Sequence, residues 1–379
     1  MTKQFVNTNQ PEFKALSVRT KPGEKFSELL EQTLPQSLCN EAQQRISSWQ
    51  KYEPTPLHKL DDLAKHLGVD TIYCKDEGYR FGLGSFKALG GAYAVELVAE
   101  QHGKGITVTC ATEGNHGRSV AWGAQKAGVR CVIFLHEGVS ESREQAIAKY
   151  GAEIMRVPGN YDDAVRKCAE VAKENNWQIV SDTTWEGYEE IPKQVMAGYS
   201  VIASEITDKI TEAPSHVFIQ AGVGGIATSV LRCLSEAWPS NNIHFTVVEP
   251  LSADCLYSSA LAGGEYKSVS GPFKTLSAGL ACGEPSAAVL DLIYEGINTY
   301  IAIDDRWITD AVRTLAKPLG NDNSIVAGVS GAAGLGGLLA ALSSHELSGV
   351  MGLNNQSRIL LLNTENATDP VVYSNIVDS

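Results

Sequence analysis

The sequence predicts an α/β fold of two open, mostly parallel sheets with helices on both faces. Three observations carry that expectation. Short, almost uninterrupted apolar runs alternate with amphipathic stretches, the pattern of strands buried on both faces between crossover helices. At 379 residues the chain is long enough for two lobes. No repeat, low-complexity tract or proline-rich linker separates those lobes, so the chain is expected to pass between them more than once.

Residues 1–50 are polar and mixed, and read as an extended arm and a helix. "TIYCKDEG" (71–78) is a strand running into a loop, followed by a helix over 86–101 with Ala, Leu and Val at helical spacing. The alternation then becomes regular. Strands are expected at 105–112, 129–136, 152–159 and 177–182, with helices at 117–127, 140–150 and 161–176. Further on come strands at 215–222 and 243–250 around a helix at 226–237, and a last strand, "RILLLNTE", at 358–365.

Composition narrows the function. Lys and Arg number 31 against 44 Asp and Glu, a net charge of −13, which disfavours a nucleic-acid partner. No apolar run approaches the ~20 residues of a membrane span. "MTKQFVNTNQPEF" offers no apolar signal region, so a cytoplasmic location is expected. The eight cysteines form no CxxC pair, and no metal-ligand cluster is found. They read as buried thiols, with Cys255 and Cys282, in loop-like stretches, the pair to check for a bridge.

Ligands of open α/β sheets sit at the carboxyl ends of strands, so the segments leaving those ends matter most. In "GLGSFKALGGAYA" (82–94), Lys87 starts a helix between Phe86 and Ala88-Leu89. Apolar flanks desolvate an amine and ready it for Schiff-base chemistry. The two glycines that follow cost roughly 0.5–1 kcal/mol each relative to alanine, a cost expected to serve close approach to a bound group. "HVFIQAGVGGIATSV" (216–230) is a strand, a glycine turn and a helix start. Three readings stay open for it: a phosphate cradle of backbone N–H groups, tight packing without a ligand, and a dinucleotide site. For the last, Gly222, Gly224 and Ala227 fit G-x-G-x-x-A, and Glu249 follows 25 residues after Gly224 as a ribose-binding acid. That reading makes the chain a nicotinamide-dependent oxidoreductase.

Ser85-Phe86-Lys87 followed by Gly-Gly, "EGNHG" at 113–117 and the glycine turn at 222–225 together resemble the fold-type II pyridoxal-phosphate enzymes. "YRFGLGSFKALGGAYA", "ATEGNHGRSVAW", "NYDDAV", "DTTWEGYEEIP" and "AGLACGEP" are similar, within that family, to the diaminopropionate ammonia-lyases. The resemblance covers roughly residues 50 to 370 in order. It implies a large cofactor domain, 1–106 plus 186–379, a small substrate-gating domain, 107–185, and pyridoxal phosphate in the cleft between them. It implies a homodimer acting on a small amino acid by α,β-elimination, with 2,3-diaminopropionate going to pyruvate and ammonia. Dehydration of serine, threonine or 3-hydroxyaspartate, and β-replacement, are the alternatives within the fold.

The same resemblance assigns roles. Lys87 carries the cofactor and acts as a base, with Phe86 beside it. Asn115 holds the 3′-hydroxyl, and Gly222, Val223, Gly224 and Gly225 cradle the phosphate. Glu249 lies near the pyridine ring, and Asn363 or Thr364 faces its nitrogen. Ser85, Thr112, His116, Tyr161 and Asp182 surround the substrate, His116 packing or hydrogen-bonding rather than serving as a base. Asp182 and Glu113 join Lys87 in the chemistry, Glu113 as the acid that protonates the leaving amine. The chain departs from the lyase pattern at three places: Glu113 stands where Asp is expected, Gly84-Ser85 where Asn-Ala is expected, and "LNTENATDP" replaces a serine and a glycine turn.

Overall fold

The apolar runs become strands in the computed structural model, which describes residues 4–6, 12–112 and 114–379. In chain order the strands are β1 (Gln4–Val6), β2 (Phe13–Ser17), β3 (Leu57–Lys59), β4 (Thr71–Asp76), β5 (Thr107–Ala111), β6 (Arg130–His136), β7 (Glu153–Val157), β8 (Gln178–Ile179), β9 (His216–Gln220), β10 (His244–Pro250), β11 (Thr299–Ile303) and β12 (Arg358–Asn363). They form an eight-stranded sheet in the order β1-β2-β11-β10-β9-β12-β4-β3 and a four-stranded sheet, β7-β6-β5-β8.

The larger sheet is parallel from β11 through β4, with antiparallel pairs confined to its two margins. The smaller sheet is parallel throughout. β9 and β11 are buried at every residue, as strands covered on both faces must be. β11 and the helix Asp305–Ala316 that follows it were not resolved by the sequence reading, which found no strand in 251–357. The strand expected at 177–182 pairs only at β8. There the Tyr188 hydroxyl donates to the Ile179 carbonyl (2.8 Å) and accepts the Ser181 N–H (2.9 Å), turning the chain out of the sheet before Asp182.

The chain forms two compact units. The first comprises Met1–Pro35, Pro54–Tyr79 and Ile202–Ser379, the second Gln36–Glu53 and Arg80–Val201. The chain therefore passes from one to the other four times. The expected small domain, 107–185, lies wholly inside the second unit, which also takes in 36–53, 80–106 and 186–201. In the first unit the core lies between the large sheet and helices such as Val329–Ser343, where Leu335 and Leu338 meet Ile301 and Ile359. In the second, Val132 and Phe134 of β6 pack on Ala164 and Cys168 of the helix Tyr161–Asn175.

The paired glycines after Lys87 do something other than expected. On the helix Lys87–His102, a Cβ at Gly90 would overlap the Tyr199 ring and stand 2.7 Å from the Val195 carbonyl oxygen. A Cβ at Gly91 would run into Ser119. These glycines admit the neighbouring helices Glu190–Thr207 and Asn115–Ala127, so protein backbone and side chains fill the space the sequence reading gave to a bound group.

No helix among the described residues is long and apolar enough to cross a membrane. Each of the eight cysteines is a thiol; Cys255 is buried and Cys282 half-buried, with no bridge between them.

Candidate active site

The second unit gathers the chemistry-bearing side chains. Lys87 opens its helix, and its Nζ is ion-paired with Asp182 Oδ2. Phe86 and Tyr199 pack against each other with ring centroids 4.7 Å apart, and the Lys87 amine lies 5.1 and 5.7 Å from those two centroids. Ser119 fixes the base of the lysine: its hydroxyl donates to the Lys87 carbonyl (2.6 Å) and accepts the Ala92 N–H (3.1 Å).

Asp182 comes to this place through the turn that Tyr188 pins. Trp185 stacks on Tyr188 with ring centroids 4.0 Å apart and planes nearly parallel, which braces the same turn. Burial works against the Asp182 carboxylate, yet the His116 ring and the Lys87 ammonium hold its pKa well below the usual carboxylate range. His116 is buried, and burial lowers its pKa. Its Nε2–H donates to the Val180 carbonyl at 2.8 Å, leaving Nδ1 3.7 Å from Asp182 Oδ2 without a hydrogen bond. That geometry anchors the ring to the backbone of β8's continuation and sets it beside the ion pair.

Thr112 shapes the loop ahead of the helix Asn115–Ala127. Its hydroxyl accepts the N–H groups of Gly114 (3.1 Å) and Gly117 (3.2 Å). Asn115 begins the helix, with its side-chain oxygen held by Arg118 at 2.5 Å. Ser85 is buried just ahead of Lys87, and Tyr161 sits at a helix start, 39% exposed, behind the Asn160 capping box. Glu113 lies outside the described residues.

The first unit carries the glycine turn. The helix Gly225–Ala237 begins there with no side chain capping it, so its leading N–H groups lack intrahelical partners. Gly224 has φ +104°, where a side chain is strained, and a Cβ there would meet Ile293 at 2.6 Å. A Cβ at Gly222 would meet the Cys282 sulfur at 2.9 Å, and the Val223 carbonyl accepts the Ser286 N–H. An uncapped helix start behind glycines that must stay bare fits a phosphate group.

Glu249 has a structural task that the sequence did not offer. Its two carboxylate oxygens accept the N–H groups of Leu256 (2.8 Å) and Tyr257 (2.7 Å), capping the helix Cys255–Leu261. One acceptor site on each oxygen is thereby committed to the backbone of that helix. Burial raises its pKa to about 8.

At the end of β12 the structure separates two neighbours. Asn363 donates its amide to Asp76 Oδ1 at 2.7 Å and is fully buried. Thr364 instead places its hydroxyl oxygen 2.9 Å from the Gln220 amide nitrogen. Gln220, Tyr199 and Ser119 were missed by the sequence reading. A glutamine ending the apolar run "VFI" was the one available signal; Tyr199 and Ser119 lie on ordinary helical faces.

A model of the family described as pyridoxal-phosphate dependent enzyme matches residues 49–364. The chain is 39% identical over 364 residues to diaminopropionate ammonia-lyase of Escherichia coli K12, covering 90% of each chain. It is 37% identical over 356 residues to the Salmonella typhimurium enzyme of the same name, covering 86% of this chain and 88% of that one. Among solved structures, that of the Escherichia coli enzyme in complex with an aminoacrylate-PLP azomethine reaction intermediate superposes with a TM-score of 0.88, at 37% identity over 96% of each chain.

Proposed function

The chain belongs to the pyridoxal-phosphate dependent enzymes, and we propose that it is an ammonia-lyase converting 2,3-diaminopropionate to pyruvate and two ammonia molecules. The observation that carries this reading is the Lys87–Asp182 ion pair at a helix start, braced by Ser119 and Tyr188, in a chain whose relatives of that name align over nine-tenths of its length.

Pyridoxal phosphate, when bound, supplies the electron sink that makes loss of a Cα proton and of a Cβ substituent feasible. Lys87 would hold it through Nζ, the N–H groups of 222–225 would take its phosphate, and Asn115 its 3′-hydroxyl. Asn363 spends its amide on Asp76, so Thr364 is the residue we assign to the ring nitrogen. The Lys87 amine would be the group that accepts the Cα proton. Asp182 stays ionised and keeps that amine placed. The departing amine needs a proton, which we assign to Glu113. Water then completes release of the 2-oxo acid and the second ammonia. The same reading takes the enzyme as a cytosolic homodimer, which light scattering on the purified protein tests for its dimeric state.

The deciding experiment follows 2-oxo acid and ammonia together, from D- and L-diaminopropionate, D- and L-serine, L-threonine and threo-3-hydroxyaspartate. Two ammonia per pyruvate from diaminopropionate, abolished in Glu113→Gln, is the expected result. Turnover of the hydroxy amino acids alone would overturn the substrate assignment.

A further inference from the structure

Gln220 is the last residue of β9, 1% exposed, and the proposed reaction makes no use of it. Its Nε2 lies 2.9 Å from three oxygens: the carbonyls of Gly331 and Leu362 and the hydroxyl of Thr364, itself 3% exposed. Carbonyl oxygens only accept, so two of them around one end of the amide fix that end as the NH2 group. The reverse orientation would set the amide oxygen against both carbonyls. Thr364 therefore faces a nitrogen that donates and cannot accept. Its hydroxyl proton cannot be spent on Gln220 and must point elsewhere. Asn363 is turned away to Asp76, so it does not compete for the same direction.

We propose that Gln220 is a positioning residue that holds the Thr364 hydroxyl as a hydrogen-bond donor toward the ring nitrogen of the cofactor, keeping that nitrogen unprotonated. This rests on the assignment of Thr364 to the ring nitrogen under the proposed function. An unprotonated ring is a weaker electron sink. It is strong enough to expel a β-substituent and less prone to the side reaction that leaves the amino group on the cofactor. Gln220 thus sets the outcome of the reaction through Thr364 without touching substrate.

The test reads the nitrogen itself rather than turnover. Apo-protein is loaded with pyridoxal phosphate carrying 15N in the ring, and the ring-nitrogen resonance is recorded against pH for the wild type, Thr364→Val, Gln220→Met and Gln220→Glu. The wild type should show an unprotonated, hydrogen-bonded nitrogen through neutral pH. Thr364→Val should move the resonance by removing the donor. Gln220→Glu offers an oxygen that accepts the Thr364 proton and turns the hydroxyl round, so the ring should take up a proton, with roughly a tenfold or greater rise in its protonated fraction, the change that a pKa higher by one brings. Gln220→Met, close in volume and uncharged, removes the donor and should move the resonance the same way; it decides the matter if the buried acid prevents folding. A resonance moved by Thr364→Val but left in place by the Gln220 variants overturns the role of Gln220. A resonance that Thr364→Val leaves in place overturns the assignment of Thr364 instead.

Discussion

Asp182 is buried, yet it stays ionised because the His116 ring and the Lys87 ammonium outweigh its desolvation. A carboxyl whose folded pKa is depressed adds stability above its unfolded pKa and loses that contribution only as pH falls through the folded value. The Asp182 carboxylate should therefore stay ionised as pH falls through the usual carboxylate range. Asp182→Asn keeps the shape and removes the charge, so kcat should fall by about 10²–10⁴, the usual span for a positioned acid–base group, and the melting temperature should fall with it because the Lys87 ammonium loses its partner. An unchanged kcat would remove Asp182 from the chemistry. Lys87 and Asp182 were both singled out in the sequence, Lys87 by its apolar flanks at a helix start and Asp182 through the family resemblance alone, and the structure brings the two together. Tyr199 and Gln220 were not, since a single polar residue on a buried face has no local signature. The choice between Asn363 and Thr364 needed the place of Asp76, 287 residues away in sequence and one strand away in the sheet.

The helix Lys87–His102 sets two effects against each other at Gly90. Alanine there gains roughly 0.5–1 kcal/mol of helix propensity. Against that stands a Cβ overlapping Tyr199 and 2.7 Å from a backbone oxygen, overpacking that typically costs about 1–3 kcal/mol. Overlap wins, so Gly90→Ala should destabilise the enzyme in urea titration, and a more stable variant would show that the helices are not held this closely. The helix Cys255–Leu261 makes the opposite kind of demand, on charge. Glu249 caps it, and burial raises its pKa from 4.5 to about 8. An acid raised in the folded state stabilises below its unfolded pKa and loses that contribution as pH rises through the folded one. Stability should therefore decline between pH 4.5 and about 8, by at most roughly 1.4 kcal/mol for each pH step of one across that window. Glu249→Gln should flatten that decline, as thermal melts across the window would reveal. From sequence this residue read as a ribose-binding acid or as a neighbour of the pyridine ring, and its capping task was hidden because the helix it caps lies in a stretch with no readable period.

Alternation of strands and helices was readable because parallel strands buried on both faces are apolar without interruption. Where the chain divides was less so. The contiguous stretch 107–185, the small domain that the resemblance implies, contains all four strands of the smaller sheet. Its unit, however, also needs the helix Lys87–His102 and the start of Glu190–Thr207. A Cβ at Gly123 would stand 2.6 Å from the Ala92 backbone, and Gly91 meets Ser119, so the helix Asn115–Ala127 is shaped to be covered by the lysine-bearing helix. Cut out alone, 107–185 would expose that face, including Val120 and Ala124, which are buried in the whole chain. At about 25 cal/mol per Å² of apolar surface, uncovering a helix face removes several kcal/mol, the scale of a small domain's entire stability. Residues 107–185 alone should thus unfold without a cooperative urea transition, with broad amide resonances. A sharp two-state transition from that fragment would mean that the smaller sheet holds its own core, and that the close packing around Gly91 and Gly123 serves to place Lys87 rather than to complete the fold.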